Sequence, residues 1–155
     1  DTDWVYKNIT RVPIPQLRFA RGFTGTVRCH VKAAPIIQAL FEKWENDSLL
    51  HLIMSYEGCF VPRYKRGQAP AGPNGHGAKG SRDVSALSNH SFGSAFDINF
   101  QDNQLHHAPA LCGSRGSVRE LVASANAIGV FWGGHYSSSD GRRGKDGMHF
   151  EISAL

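Results

Sequence analysis

Apolar residues recur along the chain in two rhythms. At Ile36, Ile37, Leu40, Phe41 and Trp44 they fall three and four positions apart, Pro35 suits a first helical turn, and Asn46-Asp47-Ser48 reads as an exit, which predicts a helix. A second helix is predicted from Val118, Leu121, Val122, Ala125 and Ile128, opened by the capping-box spacing of Ser117 and Glu120 and ended by Gly129. Elsewhere alternation takes over. From Ala95 to Phe100, the side chains of Phe96, Ile98 and Phe100 fall on one face and those of Ala95, Asp97 and Asn99 on the other. From Met148 to Ile152, Met148, Phe150 and Ile152 form an apolar face opposite His149 and Glu151. Both segments read as strands laid on a core. Residues 50–62 predict one or two further strands, kinked at Gly58.

Two stretches lack either rhythm. Residues 1–33 are punctuated by Pro13, Pro15, Gly22 and Gly25 and are expected to hold only short extended pieces, with 1–26 an irregular N-terminal extension. Residues 65–85, rich in Gly and Pro, are expected to form a flexible loop, and His76 within it a mobile surface histidine. There is no internal repeat and no interdomain linker. The 155 residues therefore read as a single domain, long enough to bury roughly 70% of the unfolded chain's surface around one core.

Composition narrows the class. Nine Phe, 4 Tyr and 3 Trp argue against disorder, and no apolar run reaches about 18 residues, so membrane insertion is not expected. The chain starts at Asp1 with no basic-then-apolar leader, which reads as a processed or trimmed piece without a signal peptide. A monomer is expected. Seventeen Lys+Arg against 13 Asp+Glu give a net charge of +4, which suits an anionic partner such as nucleic acid, a cell-wall polymer or an acidic peptide. With no RNA-binding aromatic signature and no run of Lys and Arg alone, a nucleic acid is not the expected partner. Cys29, Cys59 and Cys112 are too widely spaced for a thiolate zinc knuckle; one disulfide with a spare thiol and three reduced thiols both remain open.

The densest polar signal is Ser88-Asn-His90-Ser-Phe-Gly93-Ser-Ala95-Phe-Asp97. His90 precedes Asp97 by seven positions, an odd offset that a straight strand would place on opposite faces; a turn at Gly93 removes the obstacle. Asp146-Gly-Met-His149-Phe-Glu151 repeats the logic, with Asp146 on the turn entering the strand. If the two strands are neighbours, His90, Asp97 and His149 converge with Asp146 close by. Two imidazoles and one carboxylate leave a tetrahedral metal with one open position, as in a catalytic zinc site, and Asp146 is the candidate base. The same ligands serve iron(II) oxygenases, but those usually separate the first His and the carboxylate by one residue, whereas here six intervene. Zinc is the preferred reading. His30, His51, His106 and His107 match no ligand pattern.

The motifs Ser88-x-His90-x-x-Gly93-x-Ala95-x-Asp97 and Asp146-x-x-His149-Phe150-Glu151 resemble the D-alanyl-D-alanine carboxypeptidase and dipeptidase family of zinc metallopeptidases. The Asp-x-x-His form is similar to a branch of phage endolysins and bacterial wall enzymes that cut the L-alanyl-D-glutamate bond of peptidoglycan. Phe131-Trp132-Gly133-Gly134 and Val61-Pro62-Arg63 add to the likeness, which runs from about Val27 to Glu151. The resemblance implies a small α+β domain whose central antiparallel sheet carries the zinc ligands between flanking helices, like hedgehog and D-Ala-D-Ala peptidase domains. It implies zinc on His90, Asp97 and His149, Asp146 as general base, and Arg63 stabilising the oxyanion. Ser88 would bind substrate or brace its turn, and Glu151 would orient a ligand imidazole or pair with a surface cation. Trp132 would be a substrate platform or a core residue; His135, where the sequence departs from the family's pattern, would line the cleft, aid the transition state or do neither. The partner implied is bacterial peptidoglycan, and the place of action the cell wall, whether periplasmic, extracellular or phage-delivered. Removal of terminal D-alanine, with Arg142 or Arg143 reading the free carboxylate, and a non-catalytic zinc-containing binding module are the alternatives.

Overall fold

The computed structural model describes residues 1–62, 87–137, 144–153 and 155. Arg63, the expected loop of residues 65–85 with its His76, and Arg142 and Arg143 lie outside the described residues.

The N-terminal stretch is more ordered than its irregular pattern suggested. Helix α1 (Thr2–Asn8) is capped by the Asp1 carboxylate, which accepts from the Asp3 and Trp4 amides at 2.9 and 3.4 Å. It buries no residue fully, so it leaves no apolar stripe for a periodicity to reveal. Strand β1 (Ile9–Pro13) then pairs antiparallel with β2 (Thr26–His30). Between them Ile14 and Leu17 are buried, and Val12, Val27 and Cys29 join the same core. Val12, Ile14, Leu17 and Ala20 thus tie this stretch to the core.

Helix α2 (Ala34–Asn46) forms where its stripe predicts, with Pro35 in the first turn, and buries Ala34, Ile37, Leu40, Phe41 and Trp44. Residues 50–62 yield a short 3-10 turn at Leu50–Leu52 and one strand, β3 (Tyr56–Gly58), whose pairing shifts register at Gly58. Strand β4 (Ala95–Ile98) is two residues shorter than the alternation predicts. Asn99 turns into the left-handed region at φ 54°, which rotates Phe100 out of the expected core face to 42% exposure. The buried Asn99 amide accounts for the break: its Oδ1 accepts from the Met54 and Ser55 amides and its Nδ2 donates to the Leu52 and Gly116 carbonyls. The predicted second helix is a 3-10 turn at Arg119–Leu121 followed by α3 (Val122–Ala127).

Strands β5 (Val130–Trp132) and β6 (His149–Ile152) complete a four-stranded antiparallel sheet of order β3-β4-β6-β5. The architecture is a small α+β fold. Phe96 and Phe150, cross-strand partners, stack 5.6 Å apart, and Trp44 of α2 meets both edge-on at 6.2 and 5.7 Å. Trp44 Nε1 donates to the Leu121 carbonyl at 3.0 Å, tying α2 to the turn before α3. With α2 on one face, β4 and β6 turn Asp97 and His149 to the other. No helix of the described residues is long and apolar enough to cross a membrane.

Candidate metal centre

Two local devices position the three side chains that could hold a metal ion. Ser88 caps a 3-10 turn over Asn89–Phe92, its hydroxyl accepting from the His90 amide at 3.3 Å, and Gly93 closes the turn at φ 68°. A β-carbon at Gly93 would stand 2.5 Å from the His30 amide nitrogen, so only glycine fits both the conformation and the space. This reversal carries His90 round to the face of Asp97 despite the odd offset. Antiparallel register does the rest: Asp97 on β4 is the direct partner of His149 on β6.

The hydrogen bonds decide which atoms face one another. His90 Nδ1 lies 2.9 Å from the Cys59 carbonyl oxygen, an obligate acceptor, so Nδ1 carries the proton and Nε2 keeps a lone pair. His149 Nε2 lies 3.1 Å from Glu151 Oε1, so its proton sits there and Nδ1 keeps the lone pair. His90 Nε2 stands 3.1 Å from both Asp97 Oδ1 and His149 Nδ1, and the last two are 3.3 Å apart. Three electron-rich atoms therefore converge with no proton to separate them. Donors about 2.0–2.1 Å from a tetrahedral zinc stand about 3.3 Å from one another, so the spacing fits that ion. His90, Asp97 and His149 are 1%, 6% and 6% exposed, so the three candidate ligand atoms are screened from bulk water. Burial by itself raises the Asp97 carboxyl, but without a metal the His149 and His90 imidazoles, when protonated, donate to it and hold it well below the usual carboxylate range, so it stays anionic and available as a ligand that a cation would take over from those protons.

Asp146 sits on the turn entering β6, its Oδ2 3.9 Å from His149 Nδ1. Its amide donates to the Gly133 carbonyl at 3.0 Å and its carbonyl accepts from the His149 amide at 3.1 Å, which fixes the carboxylate beside the ligands. Glu151 is bridged to the ligand turn as well: Asn89 Nδ2 donates to its Oε2. Sequence reasoning did not single out Asn89 or the Cys59 carbonyl. Neither residue type signals such a role, since both act through position alone.

The remaining candidates distribute unevenly. Ser88 braces its turn. Trp132 is 3% exposed, donates from Nε1 to the Gly147 carbonyl at 2.8 Å and lies under the Arg119 guanidinium, so it belongs to the core and does not offer a face to substrate. His135 is exposed and touches the Trp132 ring edge-on at 5.0 Å; it is not among the converging ligands. Gly133 and Gly134 are required by contact: a β-carbon would meet the Asp146 carbonyl at 2.5 Å in the first case and the Trp132 ring at 2.2 Å in the second. All three cysteines are free thiols.

Neither the curated proteins nor the solved structures yield a match to the chain. The D-alanyl-D-alanine carboxypeptidase family does, over residues 82–152, just under half the sequence. That stretch contains His90, Asp97, Asp146, His149 and Glu151, so the part of the chain similar to these peptidases is the part that builds the candidate metal centre.

Proposed function

We propose that the chain is a zinc-dependent peptidase of bacterial peptidoglycan stem peptides, cutting the L-alanyl-D-glutamate bond. The observation that carries the peptidase reading is the convergence of three buried acceptor atoms on one point, with a second carboxylate beside them. Zinc held by His90, Asp97 and His149 would polarise the scissile carbonyl and activate water. Asp146 takes the proton of the attacking water and returns it to the leaving amine. Glu151 keeps the His149 imidazole in its ligating tautomer, and Asn89 holds Glu151. Arg63 is proposed to donate to the oxyanion, for which a guanidinium's permanent charge and planar donors are suited. The bond specificity rests on the Asp146-x-x-His149 form of the second motif. The net positive charge favours approach to an anionic wall.

The experiment is a digest of purified peptidoglycan by the zinc-loaded chain and by Asp146→Ala, with the new termini identified by mass spectrometry. New L-alanine C-termini with the wild type alone support the proposal. Release of D-alanine instead would support a carboxypeptidase, the reading favoured by the description of the matched family. Zinc binding with no chelator-sensitive hydrolysis would leave a binding module, and an unchanged Asp146→Ala would refute the base.

A further inference from the structure

One polar atom near the ligands is left over. Tyr136 follows the 3-10 turn Gly133–His135, its amide bonded to the Gly133 carbonyl at 3.1 Å. Its ring packs against the ligand imidazole of His149, with centroids 6.1 Å apart and planes tilted 53°. Its hydroxyl is buried and has no hydrogen-bond partner among the described residues. Buried hydroxyls are nearly always paired, and an orphan in a folded protein calls for a partner such as a water, an ion or a substrate. The three converging ligands do not use this group, and the proposed reaction has not called on it.

We infer that Tyr136 is a catalytic residue whose hydroxyl donates a hydrogen bond to the substrate's carbonyl oxygen as that oxygen gains charge. The inference rests on the peptidase reading. Three features suit the phenol to the task. It is a donor at neutral pH, it is shielded from water and so interacts strongly, and its rigid ring is seated between the Gly133 turn and His149. A donor that is unpaired before substrate arrives and paired as charge develops stabilises the transition state more than the ground state, which is the condition for raising kcat. The cost falls on the free protein, which carries a desolvated hydroxyl without return. That cost gives the inference a signature that a structural hydrogen bond would lack.

The test compares the zinc-loaded wild type with Tyr136→Phe. Five quantities are measured: kcat and KM on a synthetic stem peptide, affinity for a phosphinate analogue of that peptide by calorimetry, zinc content, and Tm. Expected are a fall in kcat of about 100-fold with KM within about twofold, a comparable loss of phosphinate affinity, unchanged zinc content, and a Tm equal to or above that of the wild type. An active wild type matched by Y136F in kcat and phosphinate affinity overturns this inference and leaves the peptidase reading standing. So does a Y136F that loses zinc or several degrees of Tm in step with activity, since the hydroxyl would then be structural. A wild type that binds zinc and cleaves no stem peptide overturns the peptidase reading, and the inference falls with it.

Discussion

Asp97 and His149 are direct cross-strand partners on β4 and β6, and their ligand atoms stand 3.3 Å apart on the face of the sheet away from α2. Backbone register, not side-chain reach, thus sets the spacing of two of the three ligands. Zinc should bind one per chain and stabilise the fold. At free zinc 100-fold above Kd the gain is about 2.7 kcal/mol, or a Tm rise of about 5–10 °C, abolished by a chelator and absent in His149→Ala. Because the ligands must shed protons to bind, affinity should weaken as pH falls; calorimetric titration at several pH values checks the direction.

Glu151 holds His149 Nε2 at 3.1 Å, so in the proposed site it would act on a metal through His149. Glu151→Ala frees the imidazole to ring-flip or change tautomer, and zinc affinity should fall about 10- to 100-fold with the fold intact. Asn89→Ala should move in the same direction by a smaller factor, since it removes only the donor that holds Glu151. Competition with a chromophoric chelator measures both. Equal affinity in all three proteins would show that His149 needs no such support.

The two adjacent glycines separate site from core. A β-carbon at Gly133 would stand 2.5 Å from the Asp146 carbonyl and 3.1 Å from His149 Cβ, so Gly133→Ala should displace the proposed base and one candidate ligand, costing activity at least about 10-fold. At Gly134 the clash is with the Trp132 ring, so Gly134→Ala should register first as lost stability. Paired Tm and peptide-hydrolysis measurements should therefore rank the two variants in opposite order.

Legibility followed the physics of each element. The α2 stripe and the alternation around Asp97 and His149 were readable because burial of one face imposes a period, and the turn at Gly93 because an odd offset demanded one. Helix α1 has no buried face, so only its Asp1 cap could have announced it. Phe100 misled because Asn99 leaves the strand to satisfy four backbone groups contributed by segments far along the chain, a demand that local sequence does not display. Trp132 could be a platform or a core residue by type alone; its bond to Gly147 decides.

Asn99 should in consequence be among the least replaceable residues outside the metal centre. Asn99→Ala strands the Met54 and Ser55 amides and the Leu52 carbonyl, while the Gly116 carbonyl keeps its bond from Asn103, and it places alanine at φ 54°; the loss should be about 3–4 kcal/mol by denaturant unfolding. Asn99→Gly relieves the backbone strain but not the hydrogen bonds, so it should recover only about 1 kcal/mol of that loss.

The thiols should differ sharply in reactivity. Burial pushes Cys29 up to about 11 and raises Cys59 as well, so both stay protonated and shielded at pH 8. Cys112 is exposed, but its hydrogen bond with the Glu120 carboxylate raises it too, and the thiolate is the nucleophile. A maleimide should therefore label one thiol in the native chain and three after unfolding, at a native rate that rises with pH and is faster in Glu120→Gln. The shift at Cys29 also predicts alkaline weakening. The unfolded chain loses that proton near 9.0 while the folded chain keeps it to about 11, so the stability it lends is full below 9.0 and drains away across that interval. Cys29→Ala should flatten the alkaline limb of the Tm profile; a limb of unchanged slope would place its origin elsewhere.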